Sequence, residues 1–169
     1  MKRGKGLVSK DFYLLDNPEY LDFKKSIMNE FEIYIRESLH IKKEYQFRMT
    51  TSWSVKYGNT DWGELHYHKN AIFSGVVYLK APEKSGKIYF KKEIVNLFTR
   101  TFEPEFEDYN IYNSDWWHMQ PEENMMLFFP SHLNHSIEMT ESEEKRVCVA
   151  FNFFPTGKIG NRLTELEFL

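Results

Sequence analysis

Two stretches with strict period-two alternation constrain this chain most. From Thr51 to Tyr57, the residues Trp53, Val55 and Tyr57 alternate with Ser52, Ser54 and Lys56. From Arg146 to Phe153, the set Val147, Val149, Phe151 and Phe153 alternates with Arg146, Cys148, Ala150 and Asn152. Successive side chains of a strand point to opposite faces, so each stretch reads as a strand with two different faces. Further short runs read the same way: Lys87 to Phe90, Met125 to Phe129 ended by Pro130, and two strands within 63–79 broken at Lys69-Asn70. Gly58-Asn59 and the polar stretch 81–86 are turn signals. Many short strands after a single helix predict a mainly β domain, a β-sandwich or jelly-roll barrel.

The helix is the one α-helical pattern. Asn17 is suited to an N-cap and Pro18 to the first helical position. Leu21, Ile27, Met28, Phe31, Tyr34, Ile35 and Leu39 then recur at helical spacing to about His40, which predicts an amphipathic helix of about six turns laid on a sheet. The 169 residues fit one domain: an N-terminal arm and helix over 1–45, a β core over 50–155 and a surface extension over 156–169. Residues 93–120 are the least regular part, acidic and aromatic, and predict an insertion over one mouth of the barrel.

A net charge of −3 provides no basic field for nucleic acid. The single cysteine, Cys148, excludes an intramolecular disulfide and fits a reducing compartment. The basic N-terminus has no apolar core of signal-peptide length behind it, and the apolar runs fall far short of the roughly 20 residues needed to span a bilayer. The expected protein is cytoplasmic, with no membrane partner, and is compatible with monomer or homodimer.

The chemistry lies in the histidines. His66 and His68 are two apart, so on one strand both imidazoles project from the same face. That separation suits two ligands of one metal ion, and His135 on a neighbouring strand is the candidate third. Imidazole ligands suit Fe, Zn, Cu or Ni. His132, three residues before His135, is either a supporting residue or exposed. Arg146 shares a face with small side chains and with no acidic residue, so a buried guanidinium there would need a carboxylate from a bound molecule.

The order of these residues resembles that of the 2-oxoglutarate (2OG) and Fe(II)-dependent oxygenases. That superfamily carries His-x-Asp, a distal His, and Arg or Lys about ten residues later; here His66-Tyr67-His68, His135 and Arg146 follow in that order, with Arg146 eleven residues beyond His135. Tyr57-Gly58 stands nine residues before His66, and Val77-Tyr78-Leu79 with Ser85-Gly86 and Phe90 resembles a strand pair of the family. The chain is most similar to a group of uncharacterised members in which His-x-His precedes SGVYYL and FPSWLxH precedes R…FN; here SGVVYL occupies 74–79, FPSHLNH occupies 129–135, and Arg146 precedes Phe151-Asn152. His68 stands where the superfamily usually has Asp, and Asn124 where it usually has Gly.

The resemblance implies a double-stranded β-helix (jelly-roll, cupin-like) and a dioxygenase, a hydroxylase of small-molecule or peptide substrates. It also implies Fe(II) on His66, His68 and His135, and 2OG as cosubstrate bound by Arg146 and Tyr57, with Tyr78 and Asn152 in the same subsite. A cupin-like metalloenzyme that does not use 2OG is the alternative, and a non-catalytic binding domain is a third reading.

Overall fold

A computed structural model of the chain describes residues 6–92, 105–110, 113–160 and 162–168. The described residues form ten strands and one α-helix. Strands β1 (Leu7–Val8), β2 (Gln46–Tyr57), β4 (Phe73–Lys80), β7 (Met126–Pro130) and β9 (Arg146–Ile159) form one sheet in the order β1-β2-β9-β4-β7, and β10 (Leu166–Phe168) pairs with the end of β9. Strands β3 (Gly63–His66), β5 (Ile88–Lys91), β6 (Trp116–Met119) and β8 (Asn134–Ile137) form the second sheet, in the order β3-β8-β5-β6. Every pairing between these strands is antiparallel. The two sheets make a jelly roll with the candidate site between them.

The alternation in β9 decides where everything sits. Val149, Phe151 and Phe153 are buried against helix α1 (Leu21–Ile33), whose Ile27 and Phe31 are also buried. Phe31 stacks on Phe153 with ring centroids 3.7 Å apart. Burial of a side chain of this size contributes roughly 1.5–3 kcal/mol. The opposite face of β9, with Arg146, Cys148, Ala150 and Asn152, lines the cavity between the sheets, together with Trp53, Val55 and Tyr57 of β2. The helix thus covers one side of the larger sheet and leaves the other side for chemistry.

Several boundaries differ from the sequence expectation. Asn17 does cap, its side chain accepting from the Glu19 N–H, but residues Pro18–Tyr20 form a 3₁₀ turn before α1 begins. A π-helical turn, Tyr34–Ser38, then carries the helical path to Leu39, with buried Ile35 extending the apolar stripe. Strand β9 runs through Pro155 to Ile159, past the expected end of the β core. Its ladder with β4 stops at the Phe73–Phe153 pair, so the missing N–H of Pro155 interrupts no bond on that side. Of the expected insertion, 93–104 and 111–112 lie outside the described residues; Trp116–Met119 within it forms strand β6, a correction to the irregular reading. No helix of the described residues is long and apolar enough to cross a membrane.

Candidate metal centre and cosubstrate pocket

His66 ends β3 and stands directly opposite His135 of β8 in the antiparallel ladder. His68 lies beyond the strand end, where the sequence expectation had kept it on the strand. Its backbone N–H donates to the Ser131 carbonyl at 2.9 Å, which tethers the segment to the chain just before β8. The three imidazoles converge: centroids are 4.3 Å apart for His66 and His135, 5.1 Å for His68 and His135, and 5.4 Å for His66 and His68. One ligand nitrogen from each lies within 4.8 Å of the other two. His132 is exposed and stands outside this group.

Hydrogen bonds set the tautomers. His66 Nδ1 meets the Glu64 carbonyl at 2.7 Å and His135 Nδ1 meets the Leu133 carbonyl at 2.9 Å. A carbonyl only accepts, so both Nδ1 atoms carry the proton and Nε2 is the coordinating atom. His68 Nδ1 lies 2.7 Å from Asn152 Oδ1 and 2.8 Å from Ser74 Oγ. Asn152 donates its Nδ2 to Thr51 Oγ1 at 3.0 Å, which turns Oδ1 toward His68 and makes Nδ1 the donor there as well. Ser74 Oγ donates to the same Asn152 oxygen at 2.8 Å and lies 2.7 Å from Ser131 Oγ. Carbonyl-type oxygens behind all three rings are the arrangement that orients metal-ligating histidines. The donor set therefore fits a divalent ion with an affinity for nitrogen, Fe(II) included.

Burial pushes the His135 imidazole down to about 3 from its usual 6.5, and the neighbouring His66 acts in the same direction. The folded apoprotein therefore binds fewer protons than the unfolded chain below pH 6.5. This contribution to stability is full above that pH and declines as pH falls toward 3. Metal-free protein should lose on the order of 1 kcal/mol between pH 7.5 and 5.5, read from urea unfolding. The His135→Asn apoprotein should lack this loss; an equal loss there would place the titration elsewhere.

Arg146 is fully buried. Its Nη1 donates to the carbonyls of Ser85 (3.2 Å) and Gly86 (3.0 Å), while Nε and Nη2 have no partner among the described residues. The guanidinium lies 4.4 Å from the Tyr57 ring and 5.8 Å from the Tyr78 ring. Burial pushes the Tyr57 phenol up to about 12 and the Cys148 thiol up to about 11, and it raises Tyr78 as well. These neighbours stay neutral near pH 7 and provide no anion. Two orphaned N–H-bearing atoms on a buried cation fit the carboxylate of a bound small molecule. The supporting turn depends on Gly86, whose φ of +80° and 2.3 Å approach of a would-be Cβ to the Glu138 carbonyl exclude a side chain.

The cavity, about 700 Å³, joins the two features: the histidines, Arg146, Tyr57, Tyr78 and Asn152 all line it. The Asn152 amide is engaged at both ends, by His68 and by Thr51, so its geometry serves the orientation of His68. Sequence reading missed Ser74, Ser131 and the Ser85-Gly86 carbonyls as supports. Ser74 and Ser131 do fall within the SGVVYL and FPSHLNH motifs, which was the available signal.

The family described as "Putative 2OG-Fe(II) oxygenase" matches residues 51–152. No curated protein matches the chain by sequence. Among solved structures, a prolyl hydroxylase from Trichoplax adhaerens, in complex with a hypoxia inducible factor peptide fragment, is 13% identical with a TM-score of 0.60; the match covers 91% of this chain and 65% of that one. The viral collagen prolyl hydroxylase of Paramecium Bursaria Chlorella virus-1, in its 2OG complex, is 14% identical with a TM-score of 0.54, covering 90% of this chain and 80% of that one. A 2OG-Fe(II) oxygenase family oxidoreductase from Burkholderia pseudomallei is 8% identical with a TM-score of 0.51, covering 83% of this chain. This chain spans 52% of the Burkholderia protein's length. These likenesses show the fold. The family's cofactor pair is Fe(II) and 2OG, and the imidazole donor set and the unpaired guanidinium fit the two in turn. The family match runs from β2 to the Asn152 end of the cavity face of β9, taking in every residue of both features, and the chain belongs to the 2OG-Fe(II) oxygenase family.

Proposed function

We propose that this chain is a 2OG- and Fe(II)-dependent oxygenase that hydroxylates a small-molecule or peptide substrate. The observation that carries this reading is Arg146: a buried guanidinium with two nitrogens that have no hydrogen-bond partner among the described residues. A cupin-like enzyme without 2OG would leave that charge uncompensated.

His66, His68 and His135 would hold the iron through Nε2, and Arg146 would bind the far carboxylate of 2OG through Nε and Nη2. When bound, the iron and 2OG supply the oxidising chemistry that places oxygen from O2 on a C–H bond while 2OG becomes succinate and CO2. The protein's part is orientation. Asn152 and Ser74 fix the His68 ring, and the Glu64 and Leu133 carbonyls fix the other two. Tyr57 and Tyr78 flank the guanidinium and wall its pocket with neutral groups. Buried Val55, Val76, Ile88 and Phe129 make the surrounding cavity apolar, which limits water near the reacting groups. A cytoplasmic location is part of this proposal, supported by the buried, unpaired thiol of Cys148.

Anaerobic addition of Fe(II) followed by 2OG should produce a visible charge-transfer band. A metal-loaded protein that shows no band with 2OG would overturn the 2OG reading.

A further inference from the structure

We infer that Phe12 and Trp53 form a clamp at the cavity mouth that receives an uncharged, apolar ring of the substrate. This rests on the oxygenase reading above and adds the substrate's chemical class to it.

The cavity has two ends of different character. Its inner end, around Arg146, Tyr57 and Tyr78, is polar, buried and suited to the cosubstrate. Its outer end is apolar and open: Val8, Phe12, Leu65 and Tyr67 line the cavity while remaining 43–50% exposed. The Phe12 and Trp53 rings are tilted at 55° with centroids 6.5 Å apart, an ordinary tilted aromatic contact that makes them adjoining walls of one corner. Trp53 also lies 5.6 Å from the His68 ring. A group resting on Trp53 is therefore beside the candidate metal centre, where a reacting C–H bond must be.

The N-terminal arm is held for this purpose by specific bonds. Val8 pairs with Val55 in the β1–β2 ladder, the Ser9 N–H donates to the Ser54 carbonyl, and the Ser52 N–H donates to the Phe12 carbonyl at 2.8 Å. Phe12 is thus a fixed part of the wall although its ring is half exposed. Among the described lining residues at this end, Glu64 and Lys69 are the charged side chains, and the Lys69 ammonium sits 5.9 Å over the Tyr67 ring. Nothing in that set selects a strongly anionic or cationic substrate, whereas four apolar side chains favour desolvating a ring.

The test uses the full chain loaded with Zn(II) and 2OG, with ring binding followed by ligand-observed NMR. Indole and phenol serve as free rings, and a capped Gly-Gly-Trp-Gly-Gly peptide carries the ring on a chain. Indole and phenol should bind and glucose should not; Phe12→Ala and Trp53→Ala should each weaken indole binding about tenfold, in line with the loss of an aromatic contact and its buried area. The 2OG affinity of both variants should stay within about twofold of the parent. Tighter binding of the peptide than of indole identifies a peptide carrier, and equal or weaker binding a free small molecule; both support the clamp. No ring binding to a parent protein that binds 2OG, or indole binding undiminished in the double variant, overturns the clamp alone. Failure of the parent to bind 2OG would instead remove the oxygenase reading on which it rests.

Discussion

Replacing Arg146 with Met should lower 2OG affinity by about 100-fold or more while leaving the apoprotein as stable as the parent or more so. The two effects have one origin. In the free protein the guanidinium is fully buried, bonded among the described residues only through Nη1 to two carbonyls, and faces neutral tyrosines and a neutral thiol. Such a charge costs stability that its aliphatic stem and the Tyr57 and Tyr78 rings only partly return. Methionine fills similar space without the desolvation cost, and exchange of buried charges for apolar groups is often neutral or stabilising. With 2OG present the balance reverses, because loss of a buried, hydrogen-bonded charge partner costs about 2–5 kcal/mol of binding. Thermal unfolding with and without 2OG separates the two. The parent's midpoint should rise on adding 2OG and metal, and that of Arg146→Met should rise far less. A variant that loses apoprotein stability but keeps 2OG affinity would make Arg146 a structural residue and place the 2OG carboxylate on other groups.

Much of this arrangement was legible because period two is an unforgiving code. Once Val149, Phe151 and Phe153 are assigned to the core, Arg146, Cys148, Ala150 and Asn152 must face the other way, and the structure places them on the cavity. The same logic placed Trp53, Val55 and Tyr57. Asn124 stands at φ +66°, the left-handed conformation that suits the glycine usual in the superfamily. Short strands were less legible. Asn134–Ile137 and Trp116–Met119 are four residues each, too short for alternation to rise above the surrounding polar sequence. The support behind His68 was hidden for a different reason. Asn152 and Ser131 are far from His68 in sequence and meet it only after β4, β7 and β9 are paired. His68 itself was assigned to a strand face, yet it converges on the site from beyond the strand's end, held by the Ser131 carbonyl.

His68→Ala should cost about 100-fold or more in metal affinity in tag-free protein, measured by chelator competition with Zn(II) and Co(II). The reason is the position of Asn152. Its oxygen fixes the Nδ1–H of His68, which turns Nε2 of this ring toward His66 and His135. Loss of a supporting hydrogen bond alone typically costs 10–100-fold in metal affinity. Asn152→Leu should therefore fall in that range, and His68→Ala should exceed it. Unchanged affinity in His68→Ala would leave only His66 and His135 as protein ligands, with His68 at most orienting a water. His68→Asp provides a sharper chemical comparison. It introduces the carboxylate usual in the superfamily and lowers the charge of the centre by one, but a carboxylate there would face the Asn152 and Ser74 oxygens that now serve an imidazole N–H. The Asn152 amide would have to turn its Nδ2 inward and release Thr51. His68→Asp alone should thus recover only part of the lost affinity. That incomplete recovery would show that the amide and hydroxyls behind position 68 are built for a neutral third ligand.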